Sequence, residues 1–238
     1  FISGSTDSNV LKSSIWKKNT SKEFLESRGL SHFREGLIGP AYGFQWRHFG
    51  AVYDPKTGTP LVEGGLGRGT DQLKRVVDLL KNDPFSRRIV MTAWNPECLD
   101  RMALKPCHIM VQFYVTEADP IDSDKRHWLS CSMYQRSGDM GLGVPFNIAS
   151  YGLLCHMIAK VLDYRPKELI HTIGDAHVYL DHIEPLKVQL GSFEGPRPTI
   201  KLNLPDGKHE FDRLLNFTIK DFELNYIPGS KIAMNMSA

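Results

Sequence analysis

Leu73, Val76, Val77 and Leu80 recur at the i, i+3, i+4, i+7 spacing of one helix face. With Thr70 as a cap and Pro84 as a stop, they predict a surface helix that buries a single stripe. Upstream, Thr20-Ser21 followed by Glu23, Phe24 and Leu25, with Gly29 behind them, predicts a shorter capped helix. Three runs rich in β-branched and aromatic residues, Ile89 to Trp94, Ile109 to Val115 and Trp128 to Gln135, predict neighbouring strands of one sheet. From Asn147 to Leu162 the pattern changes again. Ile148, Ala149, Leu153, Leu154, Met157, Ile158 and Val161 occupy nearly every face, which predicts a central buried helix. Polar stretches with Pro or Gly at 117–127, 191–198 and 205–209 read as exposed connections. The sum is an α+β chain with no internal repeat, read as one domain over residues 1–238.

Length and composition support that picture. A chain of 238 residues buries roughly 70% of the surface its unfolded form exposes. No run approaches the ~18 apolar residues of a membrane helix, and a net charge of +2, spread along the chain, excludes a dedicated nucleic-acid arm. Cys98, Cys107, Cys131 and Cys155 show no Cys-x-x-Cys spacing, so reduced thiols and an intracellular, cytoplasmic location are expected. Phe1 follows neither an initiator Met nor a signal pattern, and the sequence reads as cut from a longer one.

Candidate chemistry concentrates in a few places. Cys107, between Pro106 and His108, stands at the mouth of a predicted strand. A lone cysteine is ordinarily an inert buried thiol, and only nearby cations and amide donors make it a nucleophile. The segment Gln135-Arg136-Ser137-Gly138-Asp139, continuing through Gly141, Leu142 and Gly143 to Asn147, supplies such partners between a strand and the buried helix. It reads equally as a Gly-rich connection, with Asn147 capping the helix, and as an anion site in which Arg136 and Ser137 donate to a phosphate. Arg87-Arg88 alone are ordinary surface cations. His177 and Tyr179, two apart, share one side of an extended segment.

Taken together, Tyr42 to Arg47, Pro106-Cys107-His108, Gln112 to Val115, Gln135 to Tyr151 and Gly174 to Tyr179 resemble the thymidylate synthases, in order and over nearly the whole chain. The resemblance implies a thymidylate synthase fold: a large mixed β-sheet packed with helices, one of them central and buried, dimerising through the sheet. It further implies conversion of dUMP to dTMP, with methylenetetrahydrofolate as co-substrate, dihydrofolate as second product and no metal. Cys107 matches the nucleophile that adds to C6 of uracil, and Tyr42, His108, Arg136 and Asn147 complete the catalytic set. Gln135, Arg136, Ser137, Asp139, Asn147, His177 and Tyr179 match nucleotide-binding positions. Arg87 and Arg88 match arginines that reach the phosphate in the partner subunit of a homodimer. Ile15, Trp16, Asn19, Asp139, Leu142, Gly143, Phe146 and the terminal Ala238 match folate-binding positions. Asn147 points to uracil, because a carboxamide can donate to O4 while accepting from N3–H, whereas cytosine would suit an Asp.

The family's segment ahead of Phe1, with a phosphate-binding Arg and a Glu that organises a proton-relay water, is absent here. The piece alone is therefore expected to be impaired, and a longer polypeptide, with or without a fused dihydrofolate reductase domain, is expected. The 117–127 loop is longer than expected for the family and should lie away from the site. The tail around Ile232 to Ala238 resembles one that closes over folate, ending in Ala where Val is usual; a weaker final contact would let water leak to a hydroxymethyl product. The alternatives are a dUMP hydroxymethylase and a non-catalytic nucleotide- or RNA-binding relative.

Overall fold

The computed structural model describes residues 1–10, 15–62, 67–192 and 195–236. Its elements are α1 (Lys22–Ser27), α2 (Gly43–His48), α3 (Gln72–Asn82), β1 (Val90–Thr92), β2 (His108–Thr116), β3 (Trp128–Asp139), α4 (Gly143–Val161), β4 (Arg165–His177), α5 (Ile183–Leu190), β5 (Thr199–Leu202), α6 (Glu210–Asn216) and β6 (Phe222–Asn225). In β2, Val111, Phe113 and Val115 are buried while Met110 and Tyr114 face out, the period-two alternation of a strand with one covered face. β2 pairs antiparallel with β1 and β3, and β3 pairs in parallel with β4, giving a mixed sheet of order β1-β2-β3-β4. A parallel pair needs a long crossover, and α4 supplies it, packing against both β3 and β4. β5 and β6 form a separate antiparallel pair.

The α+β expectation and the central helix are borne out, with corrections at the edges. Thr70 does not cap α3. Its backbone is bridged to Phe49 in both directions, so the helix starts one residue later and Asp71 caps it, accepting from the Lys74 amide at 2.9 Å. Asp71 also accepts from Arg47 Nε at 2.9 Å. Asp71→Ala should therefore cost about 1 kcal/mol for the cap alone, and Thr70→Ala much less, as read from denaturant midpoints. The Ile89 to Trp94 run shortens to β1. β3 runs four residues past Gln135, because Ser137, Gly138 and Asp139 pair with Asp175, Ala176 and His177 of β4. The first five residues of the presumed Gly-rich connection, Gln135 to Asp139, are thus strand. β4 itself went unpredicted apart from its extended end: Pro166, Lys167 and Glu168 hide its start, and none of its residues is fully buried.

α4 begins at Gly143, four residues earlier than predicted, so Asn147 lies in its second turn and is no cap. Nor is it buried all round. Val144, Tyr151, Leu154, Cys155 and Ile158 are buried, whereas Phe146 and Ile148 are about half exposed at 48%. The 117–127 segment is a loop, as expected, pinned by Arg165, which pairs with Asp122 at 2.6 Å and stacks 3.8 Å over Trp128. The 205–209 connection and the described part of 191–198 are also irregular. No helix among the described residues is long and apolar enough to cross a membrane.

Candidate active site

The chain ahead of β2, the C-terminal end of β3, the first turns of α4 and the end of β4 converge on one cleft of about 730 Å³. Cys107 lines it, half-buried, while Cys98, Cys131 and Cys155 are buried in the core. Burial raises the Cys131 thiol and lifts that of Cys155 to about 12, so both are inert. A register shift between His108 and Met110 marks a bulge at the start of β2, and His108 is turned inward, 5% exposed.

Two side chains hold the cysteine loop. Tyr42 Oη accepts from the Cys107 amide at 2.9 Å. Tyr42 has φ +33°, a strained value for a bulky residue, and is held there by stacking between Phe1, at 4.8 Å, and His108, at 4.2 Å. Arg136 donates from Nε to the Pro106 carbonyl at 2.9 Å and from Nη2 to the Lys105 carbonyl at 3.1 Å, and its guanidinium lies 5.7 Å over Trp94. Its backbone amide donates to the Cys107 carbonyl at 2.8 Å. Burial pushes the Cys107 thiol up, and this outweighs the opposing pull of the Arg136 charge and the Tyr42 hydrogen bond. The guanidinium thus acts in the expected direction without by itself producing a thiolate.

Around this centre sits a ladder of neutral polar groups. Gln135, 2% exposed, donates to the Ser137 carbonyl at 2.9 Å and to Asn147 Oδ1 at 3.0 Å, while its own carbonyl faces His171 Nε2 at 2.9 Å. His108 Nδ1 lies 2.7 Å from the Tyr151 hydroxyl. Burial, aided by His171, depresses His108 to about 3, so it is a neutral imidazole. Asp139 accepts from the Gly141 and Gly143 amides at 3.0 and 3.2 Å. His177 and Tyr179 meet edge to face at 5.2 Å on the far wall.

The cleft gathers most of the sequence-predicted residues. Ser137, Asp139, Gly143, Phe146 and Asn147 line it from one side, His177 and Tyr179 from another, and Ile15, Trp16, Asn19 and Tyr42 complete the rim. Leu142 does not line it, although Asp139 and Gly143 on either side do. Arg87 and Arg88 are exposed ahead of β1, at the sheet edge opposite β4, and do not reach it. Ala238 lies outside the described residues. The tail is near: Met236 lines the cleft, its carbonyl accepting from Lys18 Nζ at 3.1 Å, and His182 Nε2 contacts the Asn235 carbonyl at 2.7 Å. His171 and His182 escaped sequence reading. Tyr151, one helical turn past Asn147, carried the i+4 signal that would have found it as a lining group. Among the described residues no cluster of His, Cys, Asp and Glu could hold a metal ion.

The cleft thus brings together a cysteine at a strand mouth, a guanidinium clamped over its loop and a buried amide ladder. The thymidylate synthase family model matches residues 1–238. Among curated relatives, the chain is 51% identical over 241 residues to a thymidylate synthase of Human herpesvirus 8, covering 66% of that protein. It is 50% identical to a thymidylate synthase of Saccharomyces cerevisiae, covering 76% of it, and 49% identical to a bifunctional dihydrofolate reductase-thymidylate synthase of Zea mays, covering 43%. All of this chain is matched in each case. The chain belongs to the thymidylate synthase family. It spans less than two thirds of the viral and maize relatives' own length.

Proposed function

We propose that the protein converts dUMP to dTMP, with Cys107 as nucleophile and methylenetetrahydrofolate as co-substrate. The observation that carries this reading is the placement of Cys107 within the cleft that also presents Asn147, Arg136 and Ser137. Sulfur of Cys107 adds to C6 of the pyrimidine, making C5 a carbanion equivalent; Arg136 favours the thiolate, and a hydrogen bond from Ser137 together with the charge of Arg136 holds the phosphate. The folate supplies the methylene carbon and then the hydride, leaving as dihydrofolate. We assign the proton transfer at C5 to Tyr42, whose hydroxyl accepts from the Cys107 amide, and expulsion of the Cys107 sulfur from C6 completes the turnover. His108 and Gln135 line the base, and His177 and Tyr179 face the sugar hydroxyl.

Asp139, Ile15, Trp16, Asn19, Gly143 and Phe146 form the folate wall. Asn19 fits that role: it is fully buried, and neither polar atom of its side chain finds a hydrogen-bond partner among the described residues. Such orphans cost about 1–3 kcal/mol each, a cost that a bound ligand's donors and acceptors would remove. Lys18 and His182, holding the tail by its backbone carbonyls, support closure of residues 232–236 over the folate.

The homodimer is part of the proposal. Val90, Met110, Tyr114, Tyr134 and Ile170 leave one face of the sheet apolar and exposed, a surface that a second copy would cover. Arg87 and Arg88, beside that face, would then reach the partner's phosphate. A cytoplasmic setting suits a reaction on a free nucleotide and a folate.

The test is intact-mass analysis of the full-length protein mixed with 5-fluoro-dUMP and methylenetetrahydrofolate. The expected result is a ternary adduct mapped to Cys107; a well-folded dimer that forms none overturns the reading. Product analysis with dUMP separates the hydroxymethylase alternative, in which water in place of hydride quenches the methylene.

A further inference from the structure

We infer that His171, on the edge strand β4, is a positioning residue that makes Asn147 read uracil and not cytosine. This rests on the proposed nucleotide chemistry and deepens it. A carboxamide alone does not discriminate between the two bases. Turned by 180°, Asn147 would donate where it had accepted and would suit cytosine as well as uracil. Something must forbid the turn, and the hydrogen bonds around Gln135 do so.

The polarity of the ladder follows from one backbone oxygen. The Ser137 carbonyl can only accept, so the Gln135 atom 2.9 Å from it is the amide nitrogen. The second hydrogen of that nitrogen points at Asn147, which must present Oδ1, at 3.0 Å. Asn147 Nδ2 is then directed away from Gln135, and Oδ1 retains a lone pair for an N3–H. Gln135 Oε1 faces His171 Nε2 at 2.9 Å, and an oxygen there requires that Nε2 carry the proton. Gln135 is 2% exposed, so without His171 its carbonyl would be a buried acceptor with no donor in that direction. Its amide would then swing, and the lock on Asn147 would loosen. His171 reaches this position because it is paired in register with Met133, two residues before Gln135 on the neighbouring strand.

The experiment compares dUMP and dCMP binding by titration calorimetry for wild type, His171→Phe and His171→Gln in the full-length protein. The phenyl ring fills the space without a donor, whereas the Gln amide can restore one. His171→Phe should narrow the dUMP:dCMP affinity ratio by about tenfold, and His171→Gln should restore most of it. Long-range proton–nitrogen correlation spectra of the ligand-free protein supply a readout independent of substitution, with the Nε2–H tautomer expected for His171. An unchanged affinity ratio in a folded His171→Phe variant, or an Nδ1–H tautomer, overturns the inference. A wild type that binds neither nucleotide overturns the proposed function instead, and the tautomer then still decides the ladder.

Discussion

Cys107→Ser should lower dUMP turnover by on the order of 10³-fold or more while leaving dUMP affinity within a few-fold of wild type. A hydroxyl is far harder to ionise than a thiol, and it would inherit the same buried setting that already raises the Cys107 thiol. Nothing that holds the nucleotide is removed: Arg136 keeps its bonds to the Lys105 and Pro106 carbonyls, and the Tyr42 bond is made by the backbone amide of residue 107. A loss in kcat without a matching loss in binding is the signature of a group that acts only in the chemical step. Steady-state kinetics paired with a dUMP titration measure it. Retention of more than a tenth of wild-type turnover would remove Cys107 from the mechanism. Arg136→Lys should behave differently, because one ammonium cannot reproduce the two directed bonds that pin the loop.

Acid should destabilise the fold through His108, well above the range in which carboxylates titrate. The folded His108 has a pKa of about 3, against 6.5 for an ordinary histidine. The unfolded chain therefore takes up a proton below pH 6.5 that the folded chain refuses, and stability is lost as pH falls through that window. Each pH unit costs about 1.4 kcal/mol from this group, or on the order of 3 kcal/mol between pH 6.5 and 4. His48, His156 and His171 are also lowered by burial and add in the same direction. Chemical denaturation at several pH values checks the slope. His108→Gln should flatten it by about one proton's worth, at some cost in packing against Tyr42 and Tyr151. A slope unchanged in that variant would mean that His108 titrates normally.

Much of the fold was legible because its signals are local. The stripe of Leu73, Val76, Val77 and Leu80 lies within one helix, and all four are buried as the spacing requires. Ser21 caps α1 by accepting from the Phe24 amide, with Gly29 at φ +73° behind it. Where local signals compete, the sequence was a poorer guide. Thr70 and Asp71 are both good caps, and only the backbone bridge between Thr70 and Phe49 decides between them. Gly138 and Asp139 carry turn chemistry, yet pairing with Ala176 and His177 keeps them in a strand.

The candidate site divides in the same way. Residue types by themselves left Cys107, Arg136, Asn147, His177 and Tyr179 as candidates with ordinary structural readings beside them, and it was the resemblance of the ordered, contiguous motifs to a known family that singled them out. Which groups meet across long stretches of chain was set by packing. Tyr42 is 65 residues from the amide it receives, Tyr151 is 43 from His108, and His171 is 36 from Gln135. The polarity of the Asn147 carboxamide belongs to this second class. It depends on one carbonyl oxygen and one histidine nitrogen in neighbouring strands, and a hydrogen-bond direction exists only once donor and acceptor are brought together.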